Sequence, residues 1–482
     1  MKLLLAASEL HPFSKSGGLA DMVGALAKSL AALGHQVGVV TPLYRGIREK
    51  FPDLRQFDWH LDLPLGARRV QGGVFILEPA KNLTIYFIDQ PHFYDRAGLY
   101  TGDWDWTENA GRFLFLAKAT ANLARYLPWQ PELVHVHDWQ VALVPLLIQD
   151  QAARDGWHNA PRTCLTVHNL AYQGNFPAST YALTNLPPTY YHPEGAECYA
   201  QLNCLKAGLE YSDVLTTVSP RYAREITTEP YGCGLDGVLR RRQHVLTGIL
   251  NGVDYEEWNT MENGHLVHRY SIEELRGKAG NKAALQNEMG LPAAPDVPLF
   301  ASVTRLADQK GVDLQLAALQ EMLAAKLQFV LLGSGDPGFE KAYRELQLRH
   351  PSQVALRLGF DQGLSHRIEA GADFFLMPSR FEPCGLNQMY SQRYGTIPIV
   401  RRTGGLDDSV TDLTDDEERA DGIKFSECSA RALARAMRKA LVLYENPELL
   451  ARYRSNAMRA DFSWERTCAE YLRVFEQARL IR

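Results

Sequence analysis

Three loops carry residue types that together could grip an anionic ligand. In SKSGGLAD (14–21), Lys15 and the Gly17-Gly18 pair fall between an apolar run and a helical pattern. Glycines let backbone N–H groups approach an anion at a helix N-terminus, and the lysine adds a full charge, which makes a phosphate cradle. The spacing is neither a Walker A nor a G-x-G-x-x-G motif, and a plain glycine turn into a helix would leave the same trace. VTRLADQKGVD (303–313) places Arg305 and Lys310 after a second apolar run and before another helix. Two cations there could hold a diphosphate, or they could be solvated surface charges. SRFEPCGLNQ (379–388) sets Glu382 after a buried run, with a helix opening at Gly385. A carboxylate in that place is a catalytic candidate.

Two histidine-bearing segments and one aromatic segment add to these. LVHVHDWQ (133–140) alternates as a strand does, so His135 and His137 share a face with Asp138 just beyond. A metal site would need a third nitrogen or sulfur ligand at suitable spacing, and none is present. Asp138 then reads as a functional carboxylate at a strand end, or as the N-cap of the next helix. TVHNLAYQG (166–174) brings His168 and Asn169 after a strand, with Tyr172 available to stack on a flat ligand face. FYDRAGLYTGDWDW (93–106) concentrates Phe93, Tyr94, Tyr100, Trp104 and Trp106 among turn residues. Aromatic faces suit sugar rings, and a small satellite core under a long loop is the other reading. Asp103 and Asp105 form a D-x-D, but their loop does not follow a sheet strand.

These loops need a scaffold, and the chain is long enough for two large units: 482 residues, 46% hydrophobic and 22% charged, which is ordinary for a folded protein. A net charge of −5 supplies no global field for nucleic acid or an anionic membrane. Seven cysteines without a C-x-x-C pair argue against a disulfide framework or structural zinc, and a reducing compartment, the cytoplasm, is expected. The opening MKLLLAASEL reads as a buried strand rather than a signal peptide, since its apolar run stops at Ser8 and Glu9. No run approaches a membrane span.

Residues 2–7, a glycine loop, a helical pattern from Leu19 to Leu33 and the strand 36–42 form a βαβ unit of a parallel sheet. Strands are expected at 84–89, 133–137, 163–168 and 213–219. The pattern restarts with 298–304, 329–333, 372–379 and 396–400. The expected fold is therefore α/β, with two doubly wound Rossmann-like domains. The first spans 1–246 and is completed by a C-terminal helix at 463–482; the second spans 247–462. Ligands of open α/β sheets bind outside the carboxyl ends of the strands, so two facing domains imply a central cleft.

KSGGLADMVGAL, HVHDW, TVHNLAYQG, TVSPRYAREI, NGVDYEEWN, TRLADQKGVD and SRFEPCGLNQ followed by RRTGGLDD resemble, in order, the bacterial glycogen synthases and plant starch synthases of glycosyltransferase family 5. The resemblance implies a GT-B fold and transfer of glucose from ADP-glucose, with retention of configuration, to the non-reducing end of an α-1,4-glucan. It further implies Glu382, His168, Asp138, Arg305 and Lys310 as catalytic, with Lys15, Gly18, Asp21, Cys384, Gly385, Leu386 and His366 joining Arg305 and Lys310 at the donor. Asn169, Tyr172, Tyr94 and Trp104 are expected at the acceptor. Ser16 stands where the family usually has Thr, Gln140 where it has His, and Asn387 where it has Thr.

No metal or other cofactor is expected, because cationic side chains would neutralise the leaving diphosphate. Nor is nucleic acid or a membrane expected as a partner, and the oligomeric state stays open. A UDP-glucose-dependent GT-B transferase is the nearest enzyme alternative. A non-catalytic glucan-binding protein is the alternative from another class, against which intact Lys15, Arg305, Lys310 and Glu382 argue.

Overall fold

The computed structural model of the chain describes residues 1–100 and 106–481, so Trp104 lies outside the described residues. The chain divides into two compact units. The first holds Met1–Val218, Ala223–Gly252 and the stretch from Trp464 onward; the second holds Ser219–Tyr222 and Val253–Ser463.

In the first unit, strands β1 (Lys2–Ala6), β2 (Gln36–Pro42), β3 (Arg55–Leu65), β4 (Arg68–Ala80), β5 (Leu83–Asp89), β6 (Leu133–His137) and β7 (Arg162–Val167) come first. Three short strands, β8 (Asn175–Pro177), β9 (Glu197–Cys198) and β10 (Gln201–Asn203), form a separate antiparallel sheet. The strands β11 (Val214–Thr217) and β12 (Leu246–Gly248) return to the main sheet, whose order is β12-β11-β7-β6-β1-β2-β5-β4-β3. It is parallel except for the β3–β4 hairpin and the β4–β5 pairing.

Helix Gly18–Ala32 buries Ala20, Met22, Val23, Leu26, Ala27 and Leu30, the face that the 3.6-residue period selects. The final helix, Trp464–Leu480, lays Tyr471 and Phe475 against His135 of β6, with ring centroids 5.5 and 5.3 Å away.

The first unit departs from the sequence expectation at its edge hairpin and at its boundary. The β3–β4 hairpin was not foreseen, because its outer positions are polar and half of it faces water. The boundary expected at 246 cuts through β12, which pairs with β11; the first unit accordingly runs to Gly252.

The second unit is a six-stranded, fully parallel sheet. It comprises β13 (Leu299–Val303), β14 (Gln328–Gly333), β15 (Val354–Leu358), β16 (Phe374–Met377), β17 (Ile397–Arg401) and β18 (Ile423–Phe425), in the order β15-β14-β13-β16-β17-β18. Alternate residues of each strand feed two cores. Phe300, Phe329, Leu331, Phe374 and Leu376 face Leu433 and Met437, whereas Leu299, Ala301, Val330, Leu332 and Phe375 face Leu285, Leu364 and Ile368. Burial on both faces is why these strands read as unbroken apolar runs. It also leaves the carboxyl ends of β13 and β16 as the places where polar loops can gather.

Candidate functional site

The loops after β13 and β16 meet. A pocket of about 200 Å³ is lined by Thr304, Arg305, Lys310, Ser379, Glu382, Gly385, Leu386 and Asn387 together with the strand ends. Lys310 Nζ donates to Glu382 Oε2 at 2.6 Å, and Ser379 Oγ donates to the same oxygen at 2.9 Å. Glu382 is 6% exposed, and Lys310 lies against it as its counter-charge. Arg305 is exposed at the rim and makes no hydrogen bond or ion pair from its side chain among the described residues. One cation is thus neutralised inside the pocket and one is left over for an incoming anion.

The path of the Glu382 loop is set by its neighbours. Every carbonyl from Ser379 to Gly385 has a donor. Arg401 Nε reaches Ser379 O at 2.7 Å and its guanidinium also bonds Arg380 O. Gln309 Nε2 takes Phe381 O at 3.3 Å, and the Gly405 N–H serves Glu382 O and Pro383 O at 3.1 and 3.0 Å. Gln388 Nε2 holds Cys384 O and Gly385 O at 3.2 and 3.0 Å. Arg380 turns outward and forks onto Asp313 at 2.7 and 2.8 Å. Two glycines make this packing possible. A Cβ at Gly311, where φ is +64°, would collide with Pro378 O; one at Gly404, where φ is +43°, would collide with Glu382 O. Sequence reasoning missed Arg401, Gln388 and Gly405; RRTGGLDD was noticed as a motif, but nothing in it says that its first arginine folds back on residue 379.

Asn387 donates from Nδ2 to Val303 O at 2.7 Å and so ties the two pocket loops together. Cys384 is buried and does not line the pocket, although it belongs to the same loop. His366 must be corrected. It is 1% exposed, stacked between Trp258 and His265 at 4.1 and 5.0 Å, and its Nδ1 is in hydrogen-bond contact with Asn263 Nδ2 and the Tyr394 hydroxyl at 3.1 and 3.0 Å. Burial pushes its pKa down to about 4, and the ring serves packing rather than a donor.

In the first unit, Asp138 sits at φ +60° at the end of β6, and its Oδ1 accepts the His168 N–H at 2.7 Å. Burial raises its carboxyl to about 7 against the backbone donors of His168 and Asn169. Asn169 Oδ1 caps the Ala171 N–H at 3.1 Å, and Tyr172 is 55% exposed. Asp138, His168 and Asn169 therefore form one cluster. Tyr94 does not join it: the ring is fully buried and its hydroxyl donates to Arg112 O at 2.8 Å, so the acceptor role expected of it is corrected to a core role.

The glycine loop corrects a third expectation. The N–H groups of Ser16 and Gly17, which would cradle a phosphate, donate instead to Glu9 Oε2 at 2.5 and 3.3 Å, and Tyr100 OH adds 2.6 Å to Oε1. The chain supplies its own anion there. Lys15 Nζ pairs with Asp21 at 2.8 Å and remains half-exposed, while Gly18 opens the helix. Among the described residues, no group of three or more His, Cys, Asp or Glu side chains could hold a metal ion, and no helix is long and apolar enough to cross a membrane.

Two Rossmann-like units, the second with cations and a carboxylate gathered beyond its strand ends, define the GT-B class of glycosyltransferases. Family models agree: residues 2–241 match the starch synthase catalytic domain and residues 287–460 match glycosyl transferases group 1. A glycogen synthase of Anaeromyxobacter sp. (strain Fw109-5) is 48% identical over 473 residues, 98% of each chain, and one of Syntrophotalea carbinolica is 43% identical over 479 residues, 99% of each.

The catalytic domain of starch synthase IV from Arabidopsis thaliana, solved with ADP and acarbose, superposes with a TM-score of 0.89 at 33% identity and 99% coverage of both chains. Sucrose-phosphate synthase from Thermosynechococcus elongatus shares the fold, with a TM-score of 0.62 at 18% identity, covering 99% of this chain and 98% of that one. The chain belongs to the glycogen and starch synthase family, and it is a glucosyltransferase acting between a sugar nucleotide and a glucan.

Proposed function

We propose that the protein transfers glucose from ADP-glucose to the non-reducing end of an α-1,4-glucan, with retention of anomeric configuration, in the cytoplasm and without a metal ion. The observation that carries this reading is the pocket in which Lys310 neutralises Glu382 while Arg305 stays unpaired. Breaking the bond between glucose C1 and the diphosphate leaves charge on phosphate oxygens and an oxocarbenium-like sugar. Arg305 and Lys310 would stabilise the phosphates. Glu382, whose Oε1 has no protein partner among the described residues, would accept a hydrogen bond from a glucosyl hydroxyl. Asp138, His168 and Asn169 would bind the sugar from the first unit, and Lys15, with Asp21 beside it, would add to donor binding. The mechanism proposed is front-face attack by the acceptor hydroxyl, assisted by the leaving phosphate.

The nucleotide base has a candidate platform. Phe360 follows the carboxyl end of β15, is 87% exposed, and offers a flat apolar face on which a base could stack. Support for an adenine nucleotide comes from the ADP in the Arabidopsis relative. Radiolabelled glucose transfer to glycogen from ADP-glucose and from UDP-glucose, without added metal, tests the reading. Incorporation from ADP-glucose that collapses in Glu382→Ala supports it. Preference for UDP-glucose would assign a different donor, dependence on added metal would overturn the metal-free mechanism, and an inverted product anomer would exclude front-face transfer.

A further inference from the structure

Three imidazoles of the first unit stand in contact, and only one of them has been given a role. His135 and His137 project from the same face of β6 with ring centroids 4.1 Å apart, and His137 Nδ1 lies 3.1 Å from His168 Nε2. Both β6 histidines are fully buried, and His135 Nδ1 and His137 Nε2 have no hydrogen-bond partner among the described residues.

That pattern decides where the protons sit. A buried N–H without an acceptor forfeits its bond to water for nothing, whereas a lone pair without a donor is the smaller loss. The two unpartnered nitrogens are therefore the unprotonated ones. For His135 this puts the proton on Nε2, which donates to Thr166 Oγ1 at 2.6 Å; Thr166 can then donate to Thr216 Oγ1 at 2.6 Å, and Thr216 toward Cys164 Sγ at 3.9 Å. The ring N–H and both threonine hydroxyl hydrogens in this series then each face an acceptor. For His137 the proton lies on Nδ1 and is donated to His168 Nε2. His168 is neutral, since burial pushes its pKa down to about 3, so its single ring proton must be on Nδ1.

We infer that His137 is a positioning residue that holds His168 as its Nδ1–H tautomer, making His168 a hydrogen-bond donor to a sugar oxygen and never a general base. The ring nitrogen facing a ligand takes its character from the bond made by the other one. Asp138 fixes the same residue by its backbone N–H, so consecutive residues of one strand end hold both the main chain and the ring of His168. The statement that the receiving oxygen belongs to a sugar rests on the function proposed above; the tautomer does not.

The test uses full-length enzyme labelled with 15N-histidine, read by long-range 1H–15N correlation, with His168→Gln assigning the signal. A protonated Nδ1 and an unprotonated Nε2 on His168 are expected, and the reverse tautomer would overturn the inference whatever the variants do. Two substitutions give the kinetic reading. His137→Asn keeps a donor in the place of Nδ1 and should hold kcat within about threefold, while His137→Leu keeps the volume without the donor and should lose roughly tenfold to a hundredfold in kcat with donor KM little changed. Equal kcat in the two folded variants would also overturn it. If the wild type transfers no glucose at all, the glucan reading fails while the spectrum still decides the tautomer.

Discussion

Glu382 offers one oxygen to the protein and keeps the other back: Oε2 takes both Lys310 Nζ at 2.6 Å and Ser379 Oγ at 2.9 Å, and Oε1 takes nothing among the described residues. Lys310 is thus asked to hold a carboxylate and, when a donor arrives, to face a phosphate as well. Lys310→Ala should lower kcat/KM for the sugar nucleotide by roughly 10²- to 10³-fold, the loss typical of a preorganised charge at a reacting centre. Steady-state kinetics with Glu382→Gln in parallel checks it; a Lys310→Ala enzyme within threefold of wild type would remove the cation from the mechanism.

Arg305 behaves differently because its side chain holds no hydrogen-bond or ion-pair partner among the described residues. Exposed and without an ion pair, it can be replaced by Ala with a change in unfolding free energy within about 0.5 kcal/mol. Donor KM should rise all the same. Thermal unfolding with and without ADP separates the two effects: the free Tm stays put, and the ADP-induced rise shrinks.

Tyr94 and Tyr172 make a matched pair for the acceptor side. Tyr94→Phe removes a buried hydroxyl that donates to Arg112 O and should cost about 1 kcal/mol of stability, leaving glucan KM unchanged. Tyr172→Ala, at an exposed ring, should do the opposite. Urea unfolding and glycogen saturation curves on both variants decide which ring meets the polymer.

A buried acid gives the pH dependence. Ser391 Oγ lies 2.7 Å from Glu369 Oε2 and 2.8 Å from the Asn387 carbonyl, and one hydroxyl hydrogen cannot serve both. A protonated Glu369 supplies the second, and burial does push its carboxyl up to about 8 from an ordinary 4.5. Between those two values the folded protein holds a proton that the unfolded chain has released, so this group makes stability fall as pH rises through the window. Glu369→Gln should flatten that fall and leave the variant more stable than wild type at pH 8, as measured by denaturant midpoints across pH 5 to 8.

Much of this architecture was legible beforehand, and the reason is periodicity. Runs such as FVLLG and ADFFLMPS are apolar on both faces because each strand feeds two cores, and Arg305, Lys310 and Glu382 stand out because they follow such runs directly. What the sequence could not disclose depends on pairings across long separations. Glu9 supplies the anion at residues 16 and 17, and no spacing rule distinguishes that carboxylate from an external phosphate. Tyr94 was read by residue type, which suits sugar binding, and His366 by the family resemblance, yet burial gives both rings to the interior. Arg401 holds a loop two strands' worth of chain away, a contact that exists only once β16 and β17 lie side by side.

That clasp on residues 379–385 has a consequence for how the pocket can change. Because neighbouring loops hold each carbonyl of the segment, lengthening or shortening it by one residue would strand several donors at once, Arg401 and Gln388 among them. Altered sugar or nucleotide preference is then reached by exchanging side chains on a fixed track, at positions such as Leu386 and Asn387, and transplanting the segment into another scaffold would require bringing Gln309, Arg401 and Gly405 with it.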